Sequence, residues 1–233
     1  MRHINLSPDK MIMMEGGSLL KKGLDCIEIS GVRFSAKTYT KKSVIFRAAE
    51  EFKKLRVVKS GVLKISISDA AARLMNVDFQ YPGEWVGLEG FFNGIHECEA
   101  VSIADSVIYE ADCVEFGERF SESFELRAMI LKMLSYRFER MQVMMTRMGG
   151  MCARSRVAAF FLDISKNNNH PFNHNGWIEL PITREDLSQH LGLKVETLSR
   201  VLGDLRAAGV IDIDGRYRFR IEPGGTIALL AGC

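Results

Sequence analysis

Hydrophobic and polar positions change rhythm twice along the chain. From about Ile29 to Tyr109, short β-branched and aromatic runs alternate with turn residues, at Val44 to Phe46, Leu55 to Val58, Val62 to Ile67, Val77 to Tyr81, Trp85-Val86 and Val107 to Tyr109. Runs of this length and spacing predict an all-β barrel or sandwich. Between Phe124 and Met148 the step lengthens to three or four residues through Ile130, Met133, Arg137, Met141, Met144 and Met148, with no glycine or proline before Gly149-Gly150. That pattern predicts a helix of about 25 residues, ~37 Å long. A helix from Ala153 to Ile164 follows, then a loop at Asn167 to Pro171, two short helical patterns and a hairpin. The fold expected is α+β, with a Met-rich, aperiodic lead-in at 1–18, a β-barrel at 19–123, the long helix at 124–150 and a C-terminal domain at 151–233.

The stripe Ile130, Met133, Arg137, Met141, Met144, Met148 needs something to cover it. It either joins its own domain's core or forms a coiled-coil-like seam with a second copy. Leu131, Leu134 and Val143 lie off this stripe and are expected to pack on the barrel, which leaves the stripe for a homodimer. Arg137 fits that seam only if its stem packs and its head reaches water.

The segment Pro181 to Arg200 has a specific shape. Thr183 stands before a helical pattern with Asp186 three residues on, an N-terminal capping arrangement. Leu187 and Leu191 face inward, Gly192 supplies a tight turn, and a second helix from about Val195 to Ala208 buries Leu198, Val201, Leu202 and Leu205 before Gly209. Two short helices about a glycine-bearing turn make a helix-turn-helix. Glu196, Ser199 and Arg200 fall on the face opposite the leucines, in the first two turns, the part of such a helix that enters a major groove. Arginine can donate twice to guanine, a carboxylate can accept from the cytosine amino group, and serine can do either. The plainer reading is a Glu196–Arg200 ion pair on an ordinary helix surface.

Behind it, Val210 to Ile221 reads as a hairpin turning at Asp214-Gly215. Its return strand alternates between apolar Tyr217, Phe219, Ile221 and basic Arg216, Arg218, Arg220. A strand face of arginines beside a groove-bound helix suits phosphate. The whole chain has 31 Lys plus Arg against 29 Asp plus Glu, a formal charge of +2. Any nucleic-acid surface must therefore come from placement.

Composition narrows the class. At 233 residues, 47% hydrophobic and 26% charged, the chain can build real cores, which excludes disorder. Its longest apolar run, Val157 to Leu162, is too short to cross a bilayer, and Pro8, Asp9 and Lys10 interrupt any secretory core, so no membrane association is expected. The five cysteines, Cys26, Cys98, Cys113, Cys152 and Cys233, are not closely spaced; reduced thiols in a cytoplasm fit them best. His170 and His174 lie four apart in a loop-like segment, with no thiolate or carboxylate companions, and read as a solvated turn; no metal is expected. No nucleophile triad, phosphate loop or spaced carboxylate pair suggests an enzyme.

The run Leu191-Gly192-Leu193-Lys194-Val195-Glu196-Thr197-Leu198-Ser199-Arg200 resembles the winged helix-turn-helix signature of the CRP/FNR superfamily of bacterial regulators. The resemblance extends over the order of β sensor, long helix and C-terminal DNA-binding domain, with Gly61, Gly83 and Gly87 at the positions of the barrel's turn glycines. It implies a cyclic-nucleotide-binding-like jelly roll, a homodimeric transcription factor on double-stranded DNA, and RNA polymerase as a partner. By position, Arg184 and Thr197 resemble the family's phosphate contacts, joined here by Lys194, Arg216, Arg218 and Arg220. Glu196, Ser199 and Arg200 resemble its base readers. Val195, where the cyclic AMP branch has arginine, points to the FNR-like branch and a palindrome of TTGAT-type half-sites. Lys194 replaces the usual Ser or Thr helix cap.

The effector is a different matter. The positions of the Arg and Ser that hold a cyclic phosphate resemble Cys98 and Glu99, and a carboxylate there would repel phosphate. The iron-sulfur pattern of the FNR branch lacks its cysteines, with only Cys26 near the N-terminus and Tyr109 at the barrel position. Haem, with His96 or Cys98 as ligand, is the remaining cofactor to test; none is predicted. An alternative function is a ligand-binding signalling module whose helical tail is a protein-interaction domain, though this would leave the wing arginines without a purpose.

Overall fold

The computed structural model describes residues 26–29, 31–68, 74–166, 173–174, 177–215 and 217–222. The lead-in 1–18 lies outside these, as do His170 and Arg216. The chain forms two compact units, divided between Arg140 and Met141 inside the long helix.

In the first unit, β1 (Cys26–Ile29), β2 (Val32–Tyr39), β9 (Ser106–Asp112), β4 (Lys54–Ser60) and β7 (Trp85–Val86) form, in that order, one antiparallel sheet. A second sheet runs β3 (Val44–Phe46), β8 (Glu99–Ser102), β5 (Leu63–Ser68), β6 (Leu74–Gln80). Of the barrel or sandwich that the strand spacing predicts, the strands make the sandwich: two open, jelly-roll-like sheets rather than a closed barrel. Alternation explains how the larger sheet is covered on both faces. Val57, Trp85 and Tyr109 enter a core shared with α2 (Cys113–Glu122) and the start of α3 (Phe124–Gly150), whereas their neighbours Val58, Val86 and Ile108 enter the core shared with the smaller sheet. A short helix, α1 (Gly90–Asn93), precedes β8. The hydrophobic runs miss α2, yet Asp112 accepts from the amides of Val114 and Glu115 and caps it; Asp112 with Glu115 three residues on was the legible signal.

The second unit contains α4 (Ala153–Lys166), α5 (Arg184–His190) and α6 (Val195–Ala207), with a four-stranded sheet ordered β10 (Asn173–His174), β11 (Trp177–Glu179), β13 (Arg218–Ile221), β12 (Ile211–Asp214). The predicted hairpin is thus the edge of a larger wing. Its Phe219 ring meets Phe161 of α4 at 4.4 Å between centroids, anchoring the wing to the helical core. Cys98 and Cys113 are free thiols. No helix among the described residues is long and apolar enough to cross a membrane.

Candidate functional site

The helix-turn-helix is built as its sequence requires. Thr183 Oγ1 accepts from the Asp186 amide at 3.0 Å and donates to the Asp186 carboxylate at 2.7 Å, fixing the start of α5. Gly192, at φ +60°, makes the turn, and Lys194 begins α6 with extended backbone and no side-chain cap bond. Leu198, Val201, Leu202 and Leu205 are buried, so the same helix must turn Glu196, Ser199 and Arg200 outward, and all three are exposed. Among the described residues, neither Glu196 nor Arg200 forms an ion pair, so both keep their hydrogen-bonding capacity for a partner. Thr197 is half-buried beside them and Lys194 is exposed. Arg184, at the first position of α5, is half-buried; burial lowers its pKa, though a guanidinium stays charged.

The wing arginines are in a different state. Arg218 pairs with Asp214 at 2.7 Å, and Arg220 pairs with Glu222 at 2.8 Å and lies 3.6 Å from Asp212. Both guanidinium groups also lie over the Trp177 ring, at 5.2 and 4.7 Å from its centroid. A phosphate must compete with these carboxylates, so the wing is less positive than its sequence suggests. Trp177 was not legible in sequence because β11 is only 3 residues long and joins β13 by pairing Ile178 with Phe219, far apart along the chain.

The interior of the β sandwich holds a chain of polar contacts. Arg56 and Glu110 face each other across β4 and β9, and Glu110 accepts from Arg56 Nε at 3.2 Å, Tyr39 Oη at 2.6 Å and Lys54 Nζ at 3.0 Å. Arg56 Nη1 lies 3.4 Å from His96 Nε2, and His96 Nδ1 lies 3.2 Å from Glu89 Oε1, which also accepts from Cys98 Sγ at 3.1 Å. A tautomer with its proton on Nδ1 satisfies both His96 contacts. His96 is stacked on Phe46 at 3.7 Å, and a Cβ on Gly87 would come within 2.7 Å of the imidazole.

These contacts bear directly on the ligands considered. The two ring nitrogens of His96 and the thiol of Cys98 are already engaged, and both residues are buried, so the haem ligands considered from sequence do not fit. Burial and the neighbouring Glu89 carboxylate push the Cys98 thiol well above its ordinary range, which suits neither a thiolate ligand nor a phosphate neighbour. Tyr109 is fully buried in the core shared with α2 and α3, with Lys59 Nζ 5.1 Å from its ring centroid. Among the described residues no group of three or more His, Cys, Asp or Glu could hold a metal.

Burial by itself would raise the Glu110 carboxyl, but the Tyr39 hydroxyl and the Lys54 and Arg56 cations outweigh it and hold the group below its ordinary value. A depressed folded-state pKa contributes stability above the unfolded value and loses it as pH falls through the folded one. The thermal midpoint should therefore drop on acidification below the ordinary carboxylate range, and the drop should be shallower in Glu110→Gln. Equal slopes in the two proteins would exclude Glu110 as a source of acid sensitivity.

The long helix reverses the expected assignment of its faces. Ile130 is 7% exposed and belongs to the core of the first unit, with Met133 packed against it. Arg137 Nη1 donates to the Trp85 carbonyl at 2.6 Å and to Gln80 Oε1 at 3.4 Å, with Asp78 3.8 Å from its Nη2. Arg140 likewise pairs with Glu84. Ile130, Met133 and Arg137 therefore hold α3 to its own domain and are not a free seam. Met148 Sδ lies 3.4 Å from Arg156 Nη1, and Met144 is only half-exposed. On α3, Phe124, Leu131, Leu134 and Phe138 are exposed in the first unit, at 71, 63, 46 and 62%, and Met141, Val143 and Met145 in the second; Leu131, Leu134, Phe138, Met141 and Met145 follow steps of three and four along the helix. An arginine among the stripe's members forced the choice, because a half-buried guanidinium goes where carbonyl and carboxylate acceptors wait.

Comparison with known proteins places these features in context. A Crp-like helix-turn-helix domain matches residues 155–222, and a cyclic nucleotide-binding domain matches 36–123. The chain is 28% identical over 181 residues to the anaerobic regulatory protein of Pasteurella multocida, covering 78% of this chain and 66% of that protein. It is 28% identical over 200 residues to the fumarate and nitrate reduction regulatory protein of Escherichia coli K12, covering 84% of this chain and 78% of that protein. In fold it is similar to FixK2 of Bradyrhizobium japonicum, with a TM-score of 0.76 and 22% identity over 84% of this chain and 96% of that one.

Proposed function

This chain belongs to the CRP/FNR family of DNA-binding transcriptional regulators, and we propose that it works as a homodimer on a palindrome of TTGAT-like half-sites. Each α6 would enter one of two successive major grooves, about 34 to 36 Å apart. The observation that carries the reading is the exposed set Glu196, Ser199 and Arg200, without an ion pair among the described residues, on the first two turns of α6, opposite a buried leucine face. Arg184, Lys194, Thr197, Arg218, Arg220 and, beyond the described residues, Arg216 are assigned to phosphate. Dimerisation is assigned to Leu131, Leu134, Phe138, Met141 and Met145, with Met144 at the edge. RNA polymerase, the partner such regulators act on, and a cytoplasmic location both follow from the family. A gel shift on a duplex carrying TTGAT and ATCAA arms tests the reading; equal affinity for a scrambled duplex would reject it.

The family's cyclic nucleotide does not fit this sensor. The positions that resemble the family's phosphate-binding pair carry Cys98 and Glu99, and the Cys98 thiol donates to a second carboxylate, Glu89. Two acids beside a phosphodiester are repulsive in a partly buried site. Cyclic AMP should therefore give no calorimetric signal at micromolar concentration and leave DNA affinity unchanged; saturable heat would refute this assignment. No other effector is assigned.

A further inference from the structure

Arg156 lies on the first turn of α4, yet its charge is directed at the DNA-reading element. Nη1 donates to the carbonyl of Leu191 at 2.9 Å and of Gly192 at 3.3 Å, and lies 3.4 Å from Met148 Sδ. Those carbonyls close the C-terminal end of α5, where a helix leaves acceptors unsatisfied and concentrates partial negative charge. A cation there does the work of a cap.

The site has no slack. Gly192 sits at φ +60°, and a Cβ on it would come within 3.0 Å of Met148 Sδ and 3.2 Å of Arg156 Nη1. The turn, the guanidinium and the last residues of α3 are therefore in direct contact. Arg156 Nε is buried with no hydrogen-bond partner among the described residues, an unfavourable state for a cationic donor. An ordinary surface arginine would rotate to water; this one is retained by its two carbonyls. Arg147 of α3 pairs with Asp163 of α4, so the same end of the long helix is tied down twice.

We propose that Arg156 is a positioning residue for DNA reading: it fixes the turn between α5 and α6 and joins that turn to Met148, so that the presentation of α6 depends on the end of the long helix. The inference rests on the reading that α6 contacts bases. Displacing a groove-bound helix by a fraction of an ångström misaligns bidentate contacts, while phosphate contacts adapt.

The test uses the full chain and three variants, Arg156→Met, Arg156→Lys and Met148→Ala. In hydrogen exchange without DNA, the amides of Leu191, Gly192 and Leu193 should exchange about tenfold faster in Arg156→Met, the effect of losing one hydrogen bond of ordinary net strength. Arg156→Lys should fall nearer wild type, and Met148→Ala should change in the same direction by less. With a duplex that wild type selects from a random pool, Arg156→Met should lose about tenfold in affinity, while affinity for scrambled duplex stays the same. Unchanged exchange at the turn overturns the proposal, as does an equal fall on both duplexes that follows lost thermal stability. If wild type selects no sequence, reading by α6 fails, and the exchange result alone decides the role of Arg156. Should Arg156→Met not fold, the lysine and Met148 variants carry the same comparison.

Discussion

Phe138→Asp should sediment as a monomer at concentrations where the wild-type chain is a dimer. Phe138 is 62% exposed on α3 and occupies the middle of the stripe Leu131, Leu134, Phe138, Met141, Met145, whose steps of three and four are those of a coiled-coil seam. Removing one such side chain from each copy forfeits about 1.5–3 kcal/mol per protomer. Two carboxylates set face to face add repulsion, so the dimer should weaken by roughly two to four decades. The control is Ile130→Asp, which buries a charge in the sensor core and should unfold the first unit rather than merely separate the copies. Met141 discriminates poorly, because it belongs to both stripes. An unchanged dimer in Phe138→Asp would eliminate this face as the seam; a folded monomer produced by Ile130→Asp would restore the other one.

Arg200→Ala should cost about 1 to 3 kcal/mol per half-site on the preferred duplex and relax the preference at one base pair, as the loss of a bidentate contact to guanine requires. Arg218→Ala should instead weaken all duplexes alike and lower the salt slope by about one. Since Arg218 is held by Asp214, Asp214→Asn should release that charge and strengthen binding to random DNA. The two arginines thus separate in kind, by base preference on one side and salt dependence on the other. Equal losses on cognate and random duplexes in Arg200→Ala would move Arg200 to the phosphate contacts and remove α6 as the reading element.

How legible each part was depends on how local its determinants are. The helix-turn-helix lies within about 25 residues, and Thr183, Gly192 and the leucines of α6 each act on near neighbours. Its elements and exposed face follow from sequence, with α6 ending one residue early at Ala207. The long helix was legible as a helix but not in its orientation, because two apolar stripes share the same period. What separates them is the Trp85 carbonyl waiting for Arg137, a contact between residues 52 apart. Strands β1, β2 and β8 are absent from the hydrophobic runs: β1 and β8 are four residues long, and β2 and β8 alternate or mix polar with apolar positions. The Arg56–Glu110 pair depends on the register of β4 against β9, which no local pattern supplies. Arg156 reads in sequence as one more charge on an amphipathic helix.

The polar chain from Tyr39 and Lys54 through Glu110, Arg56, His96 and Glu89 to Cys98 also constrains how this sensor can change over generations. Removing one partner of a buried charged pair strands the other, at a cost of about 3–5 kcal/mol, whereas exchanging the whole pair for well-packed apolar residues is often neutral. A typical domain has only about 5–15 kcal/mol of stability in total. Single-residue steps away from this interior therefore pass through weakened intermediates, while coordinated replacement does not. A saturation scan of single substitutions at Arg56, Glu110 and His96 should recover few folded variants, and a library varying all three together should recover apolar combinations that no single step reaches.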